Sequence, residues 1–169
     1  LTNKNPRFNE TQALDLLRLA GEHAENKDDE RITLDHVDIA RQKLEQERVV
    51  EGMRELTENG HFALLAVVSK AAHDETPCRM RDLYQEYLRL CNSAGIDPLA
   101  QRSVHNHLSD LRMLGILSAE ENRTGSRGNY YSYALDVPFS SAMEALSDVL
   151  ALDSVLDEIR KTATQAEAA

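Results

Sequence analysis

Apolar residues recur at helical spacing along most of this chain and alternate at strand spacing in one place. Over 10–26, Ala13, Leu14, Leu16, Leu17, Ala20 and Ala24 form a stripe with the period of an amphipathic helix. Residues 1–9 ahead of it are polar and broken by Pro6, which predicts a loosely ordered start. The acidic run 27–31 predicts a solvated connection rather than a metal site. Thr33 is the expected N-cap of a long helix over 34–56, with the stripe Val37, Ala40, Leu44, Val49, Val50 and Met53. A helix of this length is expected to be shared, its first part packing on helix one and its second reaching the next module. Asn59-Gly60 reads as a break.

The segment 62–72 is apolar nearly all round, which predicts a buried helix. Pro77 is expected to open another helix over 78–93, with Met80, Leu83, Tyr84, Tyr87 and Leu88 inward and Gly95 as its stop. Asp97-Pro98 reads as an N-cap followed by proline at the first helical position, starting a helix that runs to 113. Leu114-Gly115 is a turn signal. A strand is expected over 116–120 and another over 130–137, where Tyr131, Tyr133, Leu135 and Val137 alternate onto one face. Pro138 then opens a last helix with Phe139, Met143, Leu146 and Leu150, continuing through Val155 and Ile159 to a frayed tail over 162–169. Helix, turn, helix, then a hairpin with an Arg/Gly tip is the pattern of a winged helix-turn-helix.

Composition supports a mainly α protein: 41% of residues are hydrophobic but only 5% aromatic, which favours a Leu, Val, Ile and Ala core. The net charge of −10 repels phosphates, so any nucleic-acid site must be local. Over 99–134, Arg102, Arg112, Arg123 and Arg127 outnumber Asp110, Glu120 and Glu121, so this stretch is net +1 and the remainder −11. Abundant carboxylates with only five lysines suggest a high-salt, halophilic cytoplasm. Cys78 and Cys91, placed on one predicted helix, would lie roughly 20 Å apart, too far for a disulfide within it. That predicts a reduced, cytoplasmic protein. No apolar run approaches the ~20 residues that span a bilayer. The first residue is Leu rather than Met, and a processed or cut start is one reading of it.

The candidate chemistry lies on the 98–113 helix. Val104, Leu108 and Leu111 share a face and must be its core side. Gln101, Arg102, His105, Asn106 and Ser109 fall near the opposite face, with Ser103 at the flank. These side chains suit base edges and phosphates: Arg reads guanine, Asn or Gln reads adenine, Ser reads either. At the hairpin tip, Arg123 and Arg127 suit a narrow minor groove, and Gly125 and Gly128, around Ser126, let the backbone approach closely. Tyr130, off the inner face, is a candidate phosphate contact. Tyr84 and Tyr87 read as core or domain-contact residues. His105 and His107 do not share a helix face, so joint metal binding is not expected; His107 should border the core and His105 face outward. There is no G-x-x-x-x-G-K-[ST] and no nucleophile, base and orienter set, so neither nucleotide hydrolysis nor another catalysis is expected.

These residues resemble a known family. ALDLLRLAGEHAE (13–25) followed by ITLDHVDIARQKLEQERVVEGMREL (32–56) resembles the helical AAA+ lid of archaeal Orc1/Cdc6 initiators and the helix leaving it. FALLAVVSKA and MRDLYQEYLRLCNSAGIDPLAQRSVHNHLSDLRMLGIL, with the wing after them, resemble the family's C-terminal winged helix. The resemblance covers residues 10–150. It implies a lid remnant over 1–57 and a winged-helix domain with a C-terminal helix over 58–169. It also implies binding of double-stranded origin DNA, recognition helix in the major groove and wing in the minor, as part of replication initiation and helicase recruitment. The family's AAA+ base, with ATP and Mg²⁺, has no counterpart here, so no cofactor or metal is expected in this chain. Thr11 falls where the family's lid helix carries an ATP-sensing Arg, which departs from the pattern. The expected partners are duplex DNA, the replicative helicase and other initiator copies, with a monomer in isolation and a nucleoid-associated location. Two other readings of the residues stay open: a winged-helix transcriptional regulator with residues 1–57 as a dimerisation or ligand arm, and a winged-helix protein-docking module.

Overall fold

The computed structural model describes residues 10–123, 129–149 and 153–167. The chain divides into two compact units, Leu1–Arg48 and Val49–Ala169. The first holds α1 (Glu10–Asn26) and the greater part of α2 (Leu34–Arg54). Leu19, Ala20 and Ala40 are its buried core, with Leu16, Val37 and Leu44 packed against them. The 27–31 connection is exposed, as its charge predicts. Thr33 starts α2: its carbonyl accepts from the Val37 amide at 3.2 Å, and its own amide donates to His36 Nδ1 at 3.2 Å. That second bond is half of a capping box, with His in the place of Glu. The predicted α1 stripe is only partly correct, because Leu14 and Leu17 are 66% and 57% exposed. Among the described residues of this unit, Leu16, Leu19 and Ala20 pack with Val37, Ala40 and Leu44 of α2, and Leu14 and Leu17 lie outside that cluster.

The second unit is built around α3 (Glu58–Ala72), whose residues Gly60 to Ser69 are all buried. The end of α2 contributes Met53 to this core, with Val49 and Val50 packed against it. The predicted break at Asn59-Gly60 is instead the first turn of α3. Thr57 caps that turn, its Oγ1 accepting from the Gly60 amide at 3.2 Å. A Cβ on Gly60 would stand 3.2 Å from Leu56 Cβ and 3.3 Å from Thr57 Oγ1, so the turn is built tightly on glycine.

The region that follows α3 differs from the local pattern in three ways. Cys78 and Arg79 form a short strand, β1 (Cys78–Arg79), and not the start of a helix. Two residues have no pattern of their own; β1 exists because it pairs antiparallel with β3 (Asn129–Leu135), Cys78 opposite Tyr133 and Arg79 opposite Ser132. Cys78 is therefore not on a helix with Cys91, and both are buried free thiols. α4 (Met80–Ala94) follows, with Leu83, Tyr87, Leu90 and Cys91 buried, and ends at Gly95, whose φ of 71° is the left-handed closure expected. The next helix, α5 (Gln101–Met113), starts three residues after Pro98 with Ala100 at its N-cap, not Asp97. The reason is tertiary. Tyr84 Oη donates to the Leu99 carbonyl at 3.1 Å, and the Leu99 amide donates to Tyr87 Oη at 3.1 Å. Both backbone groups of Leu99 are thus committed to α4, and helix begins only beyond it.

Gly115, with φ 72°, makes the turn from α5 into β2 (Leu117–Arg123), which is longer than the predicted strand. β2 and β3 pair from Leu117 opposite Leu135 to Arg123 opposite Asn129, giving a sheet of order β1-β3-β2. Tyr133 is buried but Tyr131 is 41% exposed, so the predicted inner face stops at Tyr133. Tyr131 lies nearer the hairpin tip and outruns the helical core. The predicted single last helix is two, α6 (Phe139–Val149) and α7 (Asp153–Glu167), and the expected frayed tail is helical to Glu167. Leu156 and Ile159 hold α7 in the core, with Ala163 packed against it one turn later. The expected loose start over 1–9 and the contact of Leu150 lie outside the described residues.

Candidate nucleic-acid interface

α5 is held by one face. Val104, Leu108 and Leu111 are at most 1% exposed, the three positions that helical spacing selects. Gln101, Arg102 and Asn106 are exposed and Ser103 is half-buried. Asp110, one turn beyond Asn106 on the same side, is also exposed. The outward face therefore changes sign along its length, from Arg102 near the start to Asp110 near the end. Phosphates would be drawn to the first half, while a carboxylate at Asp110 could only accept, as from a cytosine amine.

His105 is corrected. It is half-buried, and its Nδ1 lies 3.1 Å from Tyr133 Oη, with the two rings edge to face at 6.5 Å. Burial pushes the Tyr133 hydroxyl above its ordinary range, and nearby Arg112 draws it partly back. The hydroxyl therefore stays protonated and can donate to the imidazole. The bond fixes α5 against β3 and leaves His105 Nε2 as the ring's other nitrogen. His107 is half-buried too, its Nδ1 3.7 Å from where a Cβ on Gly60 would stand, so it borders α3 as expected. The Ser109 hydroxyl donates to the His105 carbonyl at 2.9 Å and is committed to its own helix. Among the described residues no His, Cys, Asp and Glu group could hold a metal ion, and no helix is long and apolar enough to cross a membrane.

At the hairpin, Arg123 is the last residue of β2, its backbone paired with Asn129. The Arg123 side chain and the tip residues Gly125, Ser126, Arg127 and Gly128 lie outside the described residues. Tyr130 is half-buried and is not alone. The Arg79 guanidinium stands 4.1 Å from its ring centroid and donates to its hydroxyl at 3.0 Å. Sequence reading missed Arg79, because the only thing that brings it to the hairpin is the pairing of β1 with β3. Tyr84 and Tyr87 stack at 6.1 Å and belong to the interior, as expected.

The cations are not equally available. Arg18, Arg41, Arg54, Lys70, Arg89 and Arg160 all pair with carboxylates. Among the described residues Lys27, Arg31, Lys43, Arg48, Arg79, Arg81, Arg102, Arg112 and Lys161 have no such ion pair. Of these, Arg102 and Arg112 lie on α5, and Arg79 lies on β1 beside β3.

Comparison with known proteins agrees with this architecture. Residues 9–42 match the model of the Cdc6 AAA+ ATPase-type lid domain, and residues 51–145 match the model of the CDC6 C-terminal winged helix domain. The chain is 68% identical over 152 residues to ORC1-type DNA replication protein 15 of Haloarcula marismortui, covering 90% of this chain and 37% of that protein. It is 64% identical over 156 residues to ORC1-type DNA replication protein 10 of Halobacterium salinarum, covering 91% of this chain and 38% of that one. It thus spans well under half the length of the relatives it matches. The solved structure of the Aeropyrum pernix ORC1 protein in complex with DNA superimposes with a TM-score of 0.69 at 33% identity, over 81% of this chain and 36% of that one. With the winged-helix match alone covering more than half of its residues, the chain belongs to the Orc1/Cdc6 family of DNA replication proteins, as a lid segment followed by a winged helix.

Proposed function

We propose that this chain binds double-stranded DNA at replication origins through its winged helix and catalyses nothing itself. The observation that carries the reading is α5: three core residues pin one face while Arg102 and Asn106 stand exposed and unpaired on the other. The likeness to the Aeropyrum pernix protein, solved in complex with DNA, supports it. In this reading Arg102, Ser103 and Asn106 enter the major groove, with Gln101 near the end of the helix. His105 takes part through Nε2, since Nδ1 is held by Tyr133. Arg123, Gly125, Ser126 and Arg127 follow the minor groove or its phosphates, and Tyr130 lies at the root of that contact.

Residues 1–57 act as the lid-like segment with its connecting helix, and 58–169 as the DNA-binding domain. ATP and Mg²⁺ belong to the AAA+ base of the longer relatives. Helicase recruitment and contact with other initiator copies belong to the assembled initiator, in the cytoplasm at the nucleoid; the isolated chain is a monomer. With few cationic contacts, non-specific affinity is weak, on the order of 10⁻⁴ M in physiological salt.

Gel shifts with an origin duplex over a salt series test this. Arg102→Ala should weaken binding and flatten the salt dependence, and Asn106→Ala should relax preference at one base pair by about 1–3 kcal/mol. If Arg102→Ala and the double change Arg123→Ala with Arg127→Ala both leave affinity untouched, DNA binding is refuted and the docking-module reading takes its place. Binding as a dimer to a palindromic site would favour the transcriptional regulator instead.

A further inference from the structure

We propose that Arg79, seated on Tyr130 near the tip end of the hairpin strands, is a phosphate contact for duplex DNA, and that Tyr130 is its positioning residue; this rests on the DNA-binding reading. Four observations lead there. Arg79 is exposed, yet it is held on two sides of its guanidinium, by the ring below it and by the tyrosine hydroxyl. An arginine fixed in this way has lost much of its rotamer freedom before any ligand arrives, which lowers the cost of ordering it on binding.

The seat is also neutral. Most other described arginines that are held in place are held by carboxylates, which cancel the charge; the aromatic face and hydroxyl leave it intact. Of five N–H donors, one serves Tyr130, so a fork remains for phosphate oxygens.

The place fits as well. Arg79 lies opposite Ser132, and by strand alternation shares a sheet face with Ser132 and Tyr130. Tyr130 in turn lies opposite Asn122, one rung from the end of the described hairpin. A phosphate backbone running past the wing would meet Arg79 beside the last described rungs of its strands. The neighbouring groove, about 600 Å³, is lined by Lys70, Glu75, Asp82, Glu86 and Arg89 besides Arg79. Its Lys70–Glu75 and Glu86–Arg89 pairs are already neutral overall, so Asp82 is the principal opposing charge there.

The test uses the whole chain with a mixed-sequence duplex, through KCl concentrations at which the far-UV spectrum is constant. Each phosphate contact contributes roughly 0.9 to the slope of log K against log salt. Arg79→Gln, which can still donate to Tyr130, should lower the slope by roughly one contact and weaken binding, while Arg79→Lys keeps the slope. Tyr130→Phe should weaken binding in the parent chain and have no effect in the Arg79→Gln background, the signature of a residue acting through another. Arg102→Ala is the control. If it flattens the slope and Arg79→Gln does not, Arg79 is not a contact and this proposal fails while DNA binding stands. If the unaltered chain does not bind the duplex at all, both fall. Tyr130→Phe weakening the two backgrounds equally would overturn the positioning role alone.

Discussion

Tyr87→Phe removes one oxygen from the point where three helices meet. Tyr87 is fully buried. Its hydroxyl donates to Asn59 Oδ1 in the first turn of α3 at 2.5 Å and accepts from the Leu99 amide ahead of α5 at 3.1 Å. Phenylalanine keeps the ring and leaves both partners without their bond. At about 1 kcal/mol for each, the loss at neutral pH is about 2 kcal/mol. Burial also pushes the hydroxyl up to about 12, from an ordinary value near 10. Below pH 10 the group is protonated in both states and this shift has no effect. Between pH 10 and about 12 the unfolded chain releases a proton that the folded chain retains, so folding stability falls as pH rises. One such group costs about 1.4 kcal/mol per pH unit inside that window. Urea unfolding of both proteins at pH 7 and pH 11 measures the two effects. The variant should be about 2 kcal/mol weaker at pH 7, with the gap narrowed by roughly 1 kcal/mol at pH 11. A gap that is the same at both pH values would refute the titration argument. A gap under about 0.5 kcal/mol at pH 7 would refute the account of how Leu99 is held.

Leu108→Ala, at 1% exposure behind α5, should cost about 2–5 kcal/mol in urea with an unchanged slope, and a loss below about 1 kcal/mol would show that α5 is not anchored there. Gly95→Ala should cost about 1–2 kcal/mol from its φ of 71° alone, since nothing lies within 4 Å of the added Cβ; Gly95→Asn should cost less. Cys78 and Cys91 should alkylate slowly in the native protein and rapidly in denaturant, because both are buried and burial pushes the Cys78 thiol up to about 11. A fast-reacting native thiol, followed by mass spectrometry, would contradict their placement.

Several parts of this fold are local enough to be read along the chain. The 3.6-residue period places much of the interior of the long helices, and on α5 it selects Val104, Leu108 and Leu111, all of them buried. Gly95 and Gly115 mark their turns because few other residues adopt a positive φ at low cost. The outward set on α5 follows from the same arithmetic, with Arg102 and Asn106 where phase puts them. Misreadings cluster where a neighbour distant in sequence decides. Asp97-Pro98 carries every local mark of a helix start, but two tyrosine hydroxyls on α4 occupy Leu99 and delay the helix to Gln101. On α1 the buried stripe is narrower than the periodic one, because periodicity says which residues could be buried and not which of them a neighbour covers.

By itself, then, the sequence determined the helical phases and the turns, which depend on residues a few positions apart, while its resemblance to a known family implied the lid-then-winged-helix order. The site's finer shape came from tertiary structure. His105 is turned inward by Tyr133, twenty-eight positions away, and Arg79 reaches Tyr130 across fifty-one. Neither contact leaves a mark in the local pattern. A hydrogen bond or a cation–π contact depends on where the sheet brings two side chains, and β1 is a strand only while β3 is beside it.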